Sequence, residues 1–264
     1  MDLKYKNPEL PLEERTEDLL SRMTVEEKIG QLNQVSANAS NTNDVRDLIR
    51  KGKLGSRILA SSAFAGNEEQ RTAAVSEGNE AQRIAVEESR LGIPVINGRD
   101  VLHGHRTVFP VPLAQAASWD PGLVEHASAI SALEASVEGV HWTFAPMMDI
   151  ARDARWGRII EGCGEDPYLC SVMAVAMIKG FQGEDMSQKG RIAACAKHYI
   201  AYGAAEGGRD YNVSECSDNT LRNTYLPPFK ASVEAGVATM MSSFNEVGGD
   251  PVSGSHYLLT EVLK

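Results

Sequence analysis

Apolar positions along this chain gather into short runs, separated by polar loops and by longer amphipathic stretches. Six runs read as strands: residues 29–35 (the weakest), 54–60, 93–96, 141–145, 192–196 and 238–244. Between them the pattern shifts to helical spacing at residues 45–51, 68–90, 121–137, 167–181 and 217–235, with a last helix at 255–264. Pro121 and Pro167 stand at first-turn positions, where the missing N–H costs nothing. Pro227 and Pro228 predict a break or a fresh start inside the fifth stretch. Near the N-terminus, Thr16 is expected to cap a short helix, and Thr24 with Glu27 forms a capping-box pattern for a second.

Strands alternating with helices of this length argue for a parallel α/β sheet. An open doubly wound sheet and a (β/α)8 barrel compete. Neither the dinucleotide fingerprint GxGxxG nor the P-loop GxxxxGK[ST] is present. The polar motifs follow at least three different strands, which suits a barrel, whose mouth collects residues from many strands. The expected fold is therefore a TIM-like barrel, incomplete, with about six of the eight strands that closure needs. Residues 1–23 read as a lead-in and residues 24–264 as the partial barrel, with no second domain. A seventh strand would fall where the last helix ends.

Composition narrows the function classes. Of 264 residues, 42% are apolar, enough for a sizeable core. Net charge is −10, and no Lys/Arg cluster stands out, which disfavours nucleic acid and anionic membranes as partners. No stretch approaches the roughly 20 apolar residues of a membrane span. The polar N-terminus lacks the apolar centre of a signal peptide, so the expected compartment is the cytoplasm unless a leader has been removed. Cys163, Cys170, Cys195 and Cys216 form no CxxC pair, which argues against structural zinc and a disulfide framework.

The densest chemistry follows the third strand, in GRDVLHGHRTVFP at residues 98–110. Asp100, His103, His105 and Arg106 arrive within seven positions, in a stretch broken by Gly98 and Gly104. After the fourth strand, Arg152, Arg155 and Arg158 interleave with Asp149, Asp153, Glu161, Glu165 and Asp166 around Trp156. Surface ion pairs would explain such a loop, but Trp156 and the nearby glycines suggest an ordered one. After the fifth strand come Lys197 and His198, then Arg209 and Asp210. Adjacent strand residues point to opposite faces, so Lys197 and His198 share a face only if the strand has ended or a bulge re-aims one. After the sixth, Phe244 is placed to wall an apolar pocket. Asp100, Arg106, Arg158, Lys197, His198 and Arg209 together make many hydrogen-bond donors and one carboxylate. That set suits a polyol, whose hydroxyls donate and accept. It also suits a phosphate or carboxylate, against which Asp100 would act by repulsion. The histidines lack metal-ligand spacing, and no cofactor is expected.

The segments NGRDVLHGHRTVFPVPLAQAASWDP, RDARWGRIIEGCGEDPYL, AKHYIAYGAAEGGRDYN and TLRNTYLPPFKASVEAGVATMMSSFNEVGGDP resemble the N-terminal barrel of the family 3 glycoside hydrolases, β-glucosidases in particular. The resemblance implies that Asp100, in a G-x-D-x-x-H-G pattern, binds distal hydroxyls of a nonreducing sugar. It implies that Arg158, Lys197 and His198 hold hydroxyls of the same ring, that Arg106 and Arg209 orient those groups, and that Met241 lines the subsite. A retaining mechanism follows from the family, with two carboxyls about 5–5.5 Å apart. The family's attacking Asp stands in a Ser-Asp motif after strand 7, which is expected beyond Lys264; Ser217-Asp218 lies at a helix start. No catalytic residue is therefore assigned in this chain. Ile200, Ala201 and Tyr202 stand where the N-acetylglucosaminidase branch has Pro-Gly-His, which favours the glucosidase or xylosidase branch. The implied substrate is a β-glucoside or oligosaccharide. A non-catalytic sugar-binding barrel and a β-xylosidase are the alternatives, and either a second copy or a C-terminal portion would complete the barrel.

Overall fold

A computed structural model describes residues 3–37, 42–59 and 68–264 of the chain. These divide into two compact units, Met1–Gly98 and Arg99–Lys264.

In the first unit, α1 (Leu12–Arg22) and α2 (Val25–Gln31) precede the strand β1 (Gln34–Ser36). The helix α3 (Thr42–Arg50) leads to β2 (Ser56–Ile58), and α4 (Glu68–Arg83) runs on through a π-turn, Ile84–Glu88, toward β3 (Ile96–Arg99). β1 pairs with β2, and β2 with Ile96–Gly98 of β3, all parallel. Each helical connection returns the chain to the same sheet end, as a parallel ladder requires. Val45, Ile49, Leu54, Ala81, Ile84, Ala85 and Val95 make the core beneath them.

The second unit repeats the scheme. The short α5 (Pro112–Ala116) and the long α6 (Pro121–Val137) lead to β4 (Trp142–Thr143). α7 (Pro167–Gln182) leads to β5 (Cys195–Tyr199). A turn of helix, α8 (Asp218–Thr220), a π-turn and α9 (Leu226–Glu234) lead to β6 (Thr239–Ser242). The Arg99 carbonyl accepts from Phe144 N–H, Cys195 N–H reaches the Ala145 carbonyl and β5 pairs with β6 in parallel. The chain then forms a small antiparallel hairpin, β7 (Glu246–Val247) with β8 (Asp250–Pro251). The peptides Ala145–Pro146, Lys197–His198 and Tyr199–Ile200 are cis.

Local chemistry sets the helix ends. Asp120 and Asp166 accept from Leu123 N–H and Leu169 N–H at 3.0 and 2.7 Å, and Pro121 and Pro167 follow at the first position. α7 ends on Gly183 at φ +60°, a left-handed stop that favours glycine. The Thr24 capping box forms in full.

Each of the six apolar runs contains or touches a strand, with shifts of a few residues. Residues 29–31 belong to α2, because the capping box at Thr24 propagates the helix through them. The third strand starts only at Ile96, and Ala60, at the end of the second run, lies outside the described residues. α1 begins at Leu12, four residues before Thr16, whose hydroxyl instead donates to the Leu12 carbonyl inside the helix. Residues 217–235 divide around the prolines as expected, through the π-turn Leu221–Tyr225. The 255–264 stretch makes a π-turn, Tyr257–Val262, in place of an α-helix.

Candidate functional site

Polar side chains converge in the second unit, at the C-terminal ends of its parallel strands. Lys197 on β5 is flanked in register by Met147 on one side and Met241 on the other. Residues paired across a parallel ladder face the same way, so the three side chains form one row. Lys197 is almost wholly buried, and its Nζ reaches Asp100 Oδ1 at 2.7 Å, while the Asp100 carboxylate stays half exposed. A buried ammonium thus lies under an accessible carboxylate.

His198 comes next in the chain, and β5 has not ended there. The ladder slips between Lys197 and Tyr199, so His198 is the extra residue of an irregularity, which frees its side chain from strict alternation. Its Nδ1 lies 2.8 Å from Asp149 Oδ2, and its backbone N–H donates to the same oxygen at 3.1 Å. The imidazole packs against Tyr202 and Phe244, with ring centroids 5.1 and 5.2 Å away. Phe244 itself is half exposed and also meets Tyr211.

Arg158 approaches from the loop after β4. Its guanidinium grips Glu161 with two parallel hydrogen bonds of 2.8 and 2.9 Å and lies over the Tyr202 ring at 5.6 Å. The bond from Glu161 holds the guanidinium charged, above its already high value, against the opposing cost of burial. Burial alone would raise the Glu161 carboxyl; the hydrogen bonds and charge of Arg158 outweigh it and hold it below the ordinary range. Trp156, wholly buried, anchors this loop against Met147, Ala151 and Tyr202. Its indole N–H donates to Asp210 Oδ1 at 2.9 Å, and the Tyr202 hydroxyl donates to the same atom at 2.6 Å. Burial first, and then Asp210, push the Tyr202 phenol well above its usual value. The loop after β5 fits over Trp156 because residue 203 is glycine: a Cβ there would stand 2.4 Å from the Ile150 carbonyl.

Asp100, Lys197, His198 and Met241 therefore meet directly or lie side by side, and Arg158 joins them through Tyr202. Arg106 turns elsewhere. Its guanidinium is mostly exposed and 3.8 Å from Glu138, and its backbone N–H donates to Glu134. Arg209 is exposed beside Asp210, and among the described residues its side chain has no ion-pair partner. His103 and His105 serve the loop: His103 Nδ1 bonds the Phe109 carbonyl and His105 Nε2 bonds Glu138, both at 2.8 Å. Ser217, ahead of Asp218, accepts from Thr220 N–H as a helix cap. Among the described residues no group of three or more His, Cys, Asp or Glu could hold a metal ion, and no helix is long and apolar enough to cross a membrane.

The sequence groups Asp149 and Glu161 with the arginines of one ordered loop and gives no role to Tyr202 or Asp210. For Asp149 a signal was present. It is a lone carboxylate in a run, residues 143–151, that is otherwise apolar or small, and such a residue needs a buried partner.

A parallel α/β chain whose polar side chains gather at the C-terminal ends of its strands has the architecture of an incomplete barrel. Residues 24–264 match the family model described as glycosyl hydrolase family 3 N terminal domain, and the chain belongs to that family. It is 39% identical over 248 residues to a periplasmic beta-glucosidase of Salmonella typhimurium, covering 94% of this chain and 31% of the relative. It is 31% identical over 281 residues to a xylan 1,4-beta-xylosidase of Xylanibacter ruminicola, covering 99% of this chain and 27% of the relative. A crystal structure of beta-glucosidase from Listeria innocua in complex with glucose matches with a TM-score of 0.84 and 37% identity, over 96% of this chain and 36% of that one. The chain thus spans about a third of the length of these relatives, and its fold is that of an incomplete family 3 barrel.

Proposed function

We propose that this chain supplies the sugar-holding side of a retaining β-glucosidase site. The observation that carries the reading is the Asp100–Lys197 pair beside His198. Asp100 offers only acceptors and Lys197 only donors, and two neighbouring hydroxyls on a pyranose ring need one of each. Arg158 keeps N–H groups beyond the two it gives Glu161, and these serve a further hydroxyl. Met241 and Phe244 offer the apolar surface that the carbon face of a sugar prefers.

Chemistry needs two further groups. A retaining mechanism sets one carboxylate to attack the anomeric carbon and another to protonate the leaving oxygen, about 5–5.5 Å apart. The carboxylates described around this site are already engaged: Asp100 with Lys197, Asp149 with His198, Glu161 with Arg158, and Asp210 with the Trp156 indole and the Tyr202 hydroxyl. The attacking and proton-donating carboxyls are therefore proposed to come from a segment outside these residues, either further along a longer polypeptide or from a second copy. Arg106 and Arg209 are proposed to turn toward the ligand once it is bound.

Two relatives carry different names, and the second reading, a β-xylosidase, follows from the xylosidase relative. Glucose and xylose differ by one hydroxymethyl group. Calorimetric titration of the chain with glucose, xylose and phosphate separates the readings. Glucose binding in preference to xylose supports the first, xylose preference the second. Phosphate competition with no sugar binding would sink both. Hydrolysis of an aryl β-glucoside by the isolated chain would overturn the external-carboxylate reading. The compartment is proposed to be the cytoplasm, where the free Cys163, Cys170, Cys195 and Cys216 would stay reduced. One relative is periplasmic by name, and fractionation of the source cells decides between them.

A further inference from the structure

Asp149 stands in the apolar run that follows β4. Its side chain is fully buried, and it spends one oxygen wholly on His198. Oδ2 accepts from the His198 backbone N–H at 3.1 Å and lies 2.8 Å from Nδ1. Oδ1 is buried with no hydrogen-bond partner among the described residues. A carboxyl proton on Oδ1 would have nothing to bond, and Oδ2 already accepts from the backbone. The contact at Nδ1 is therefore satisfied most simply when the imidazole carries the proton there and donates it. The other ring nitrogen, Nε2, has no partner among the described residues and is not among the buried unpaired atoms, so the ring's small remaining exposure includes it. Tyr202 and Phe244 pack against the ring and restrict its rotation.

We propose that Asp149 is a positioning residue that fixes the proton of His198 on Nδ1, so that Nε2 meets the sugar as a hydrogen-bond acceptor. The proposal rests on the sugar-binding reading above and deepens it. Lys197 and Arg158 can only donate. A hydroxyl that receives a bond from either has its own proton to donate, and His198 Nε2 supplies an acceptor in addition to the Asp100 carboxylate. With the opposite tautomer, the site would hold one more donor and one acceptor fewer.

The test uses the chain labelled with 15N. Long-range 1H–15N spectra report which ring nitrogen carries the proton, and H198Q identifies the His198 signals among the six histidines. The expected result is a protonated Nδ1 and an unprotonated Nε2 in the parent chain. D149A, which removes the acceptor, should shift the proton to Nε2 or average the two, with glucose affinity about tenfold weaker. D149N, whose amide oxygen can take the place of Oδ2 and accept from both the backbone N–H and Nδ1, should keep the parent tautomer. A parent spectrum with the proton on Nε2 overturns the proposal without any variant. So does a folded D149A with unchanged glucose affinity. If the parent chain binds no glucose, the sugar reading itself fails, and the ring spectrum alone then decides whether Asp149 holds the proton.

Discussion

At Lys197 the demands of stability and binding oppose one another. The side chain is buried in a row with Met147 and Met241, where an apolar residue would serve folding better than an ammonium. Its charge is answered by Asp100, which is half exposed and so returns less than a buried partner would. Replacing a buried ion by an apolar residue of similar volume is often neutral or stabilising. Lys197→Met should therefore leave the urea midpoint unchanged or raise it, while glucose affinity falls at least about tenfold. Loss of stability by more than about 2 kcal/mol would mean that the ammonium holds the fold and not the ligand. At this scale the sequence was partly legible. The residue types and their place at the C-terminal ends of β3, β4 and β5 could be read, because motifs at strand ends survive small errors in strand bounds; Lys197 and His198 lie on β5 itself and not past it. The pairing of His198 with Asp149 could not, since it depends on a register slip in β5 that no periodicity announces.

At the scale of elements, the site depends on how closely α6 and α7 pack behind the strands. Gly180 on α7 faces α6, and a Cβ there would stand 2.4 Å from the Glu125 carbonyl and 2.6 Å from Ser128 Cβ. Backbone atoms cannot yield as a flexible side chain can, so the helices must separate. Gly180→Ala should destabilise the chain by about 1–3 kcal/mol, despite alanine's better helix propensity. A denaturant midpoint equal to the parent's would show that the two helices have slack at this point. Helix ends and the α6 span were legible because Asp-Pro caps fix them locally. The π-turns at 84–88, 221–225 and 257–262 were not, because they answer packing and not propensity. Residues 105–107 are held from the same helix: Glu134 on α6 accepts from the Arg106 backbone N–H, and Glu138, at the α6 C-cap, bonds His105.

At the scale of the molecule, alternation of strand and helix made the barrel class readable, since each βα unit carries its own pattern. What holds the units' interiors at a given pH is a matter of buried ionisable groups. Tyr199 is wholly buried on β5, and its hydroxyl donates to the Leu258 carbonyl at 2.9 Å. Burial pushes this phenol up to about 12. Tyr202 is raised too, by burial and then by Asp210. In the unfolded chain both titrate near the ordinary value of about 10. The neutral phenols therefore favour the folded state fully below about pH 10, and the advantage is lost as pH rises toward 12, because the unfolded chain gives up its protons first. The chain already carries a net charge of −10 at pH 7, and further ionisation adds self-repulsion in the same direction. Urea midpoints measured from about pH 8 to about pH 12 should fall steeply above pH 10. Tyr199→Phe gives up one hydrogen bond, costing about 1 kcal/mol near neutrality, yet should lose about 2 kcal/mol less than the parent across the alkaline limb. Parallel alkaline limbs in parent and variant would show that Tyr199 ionises as freely folded as unfolded.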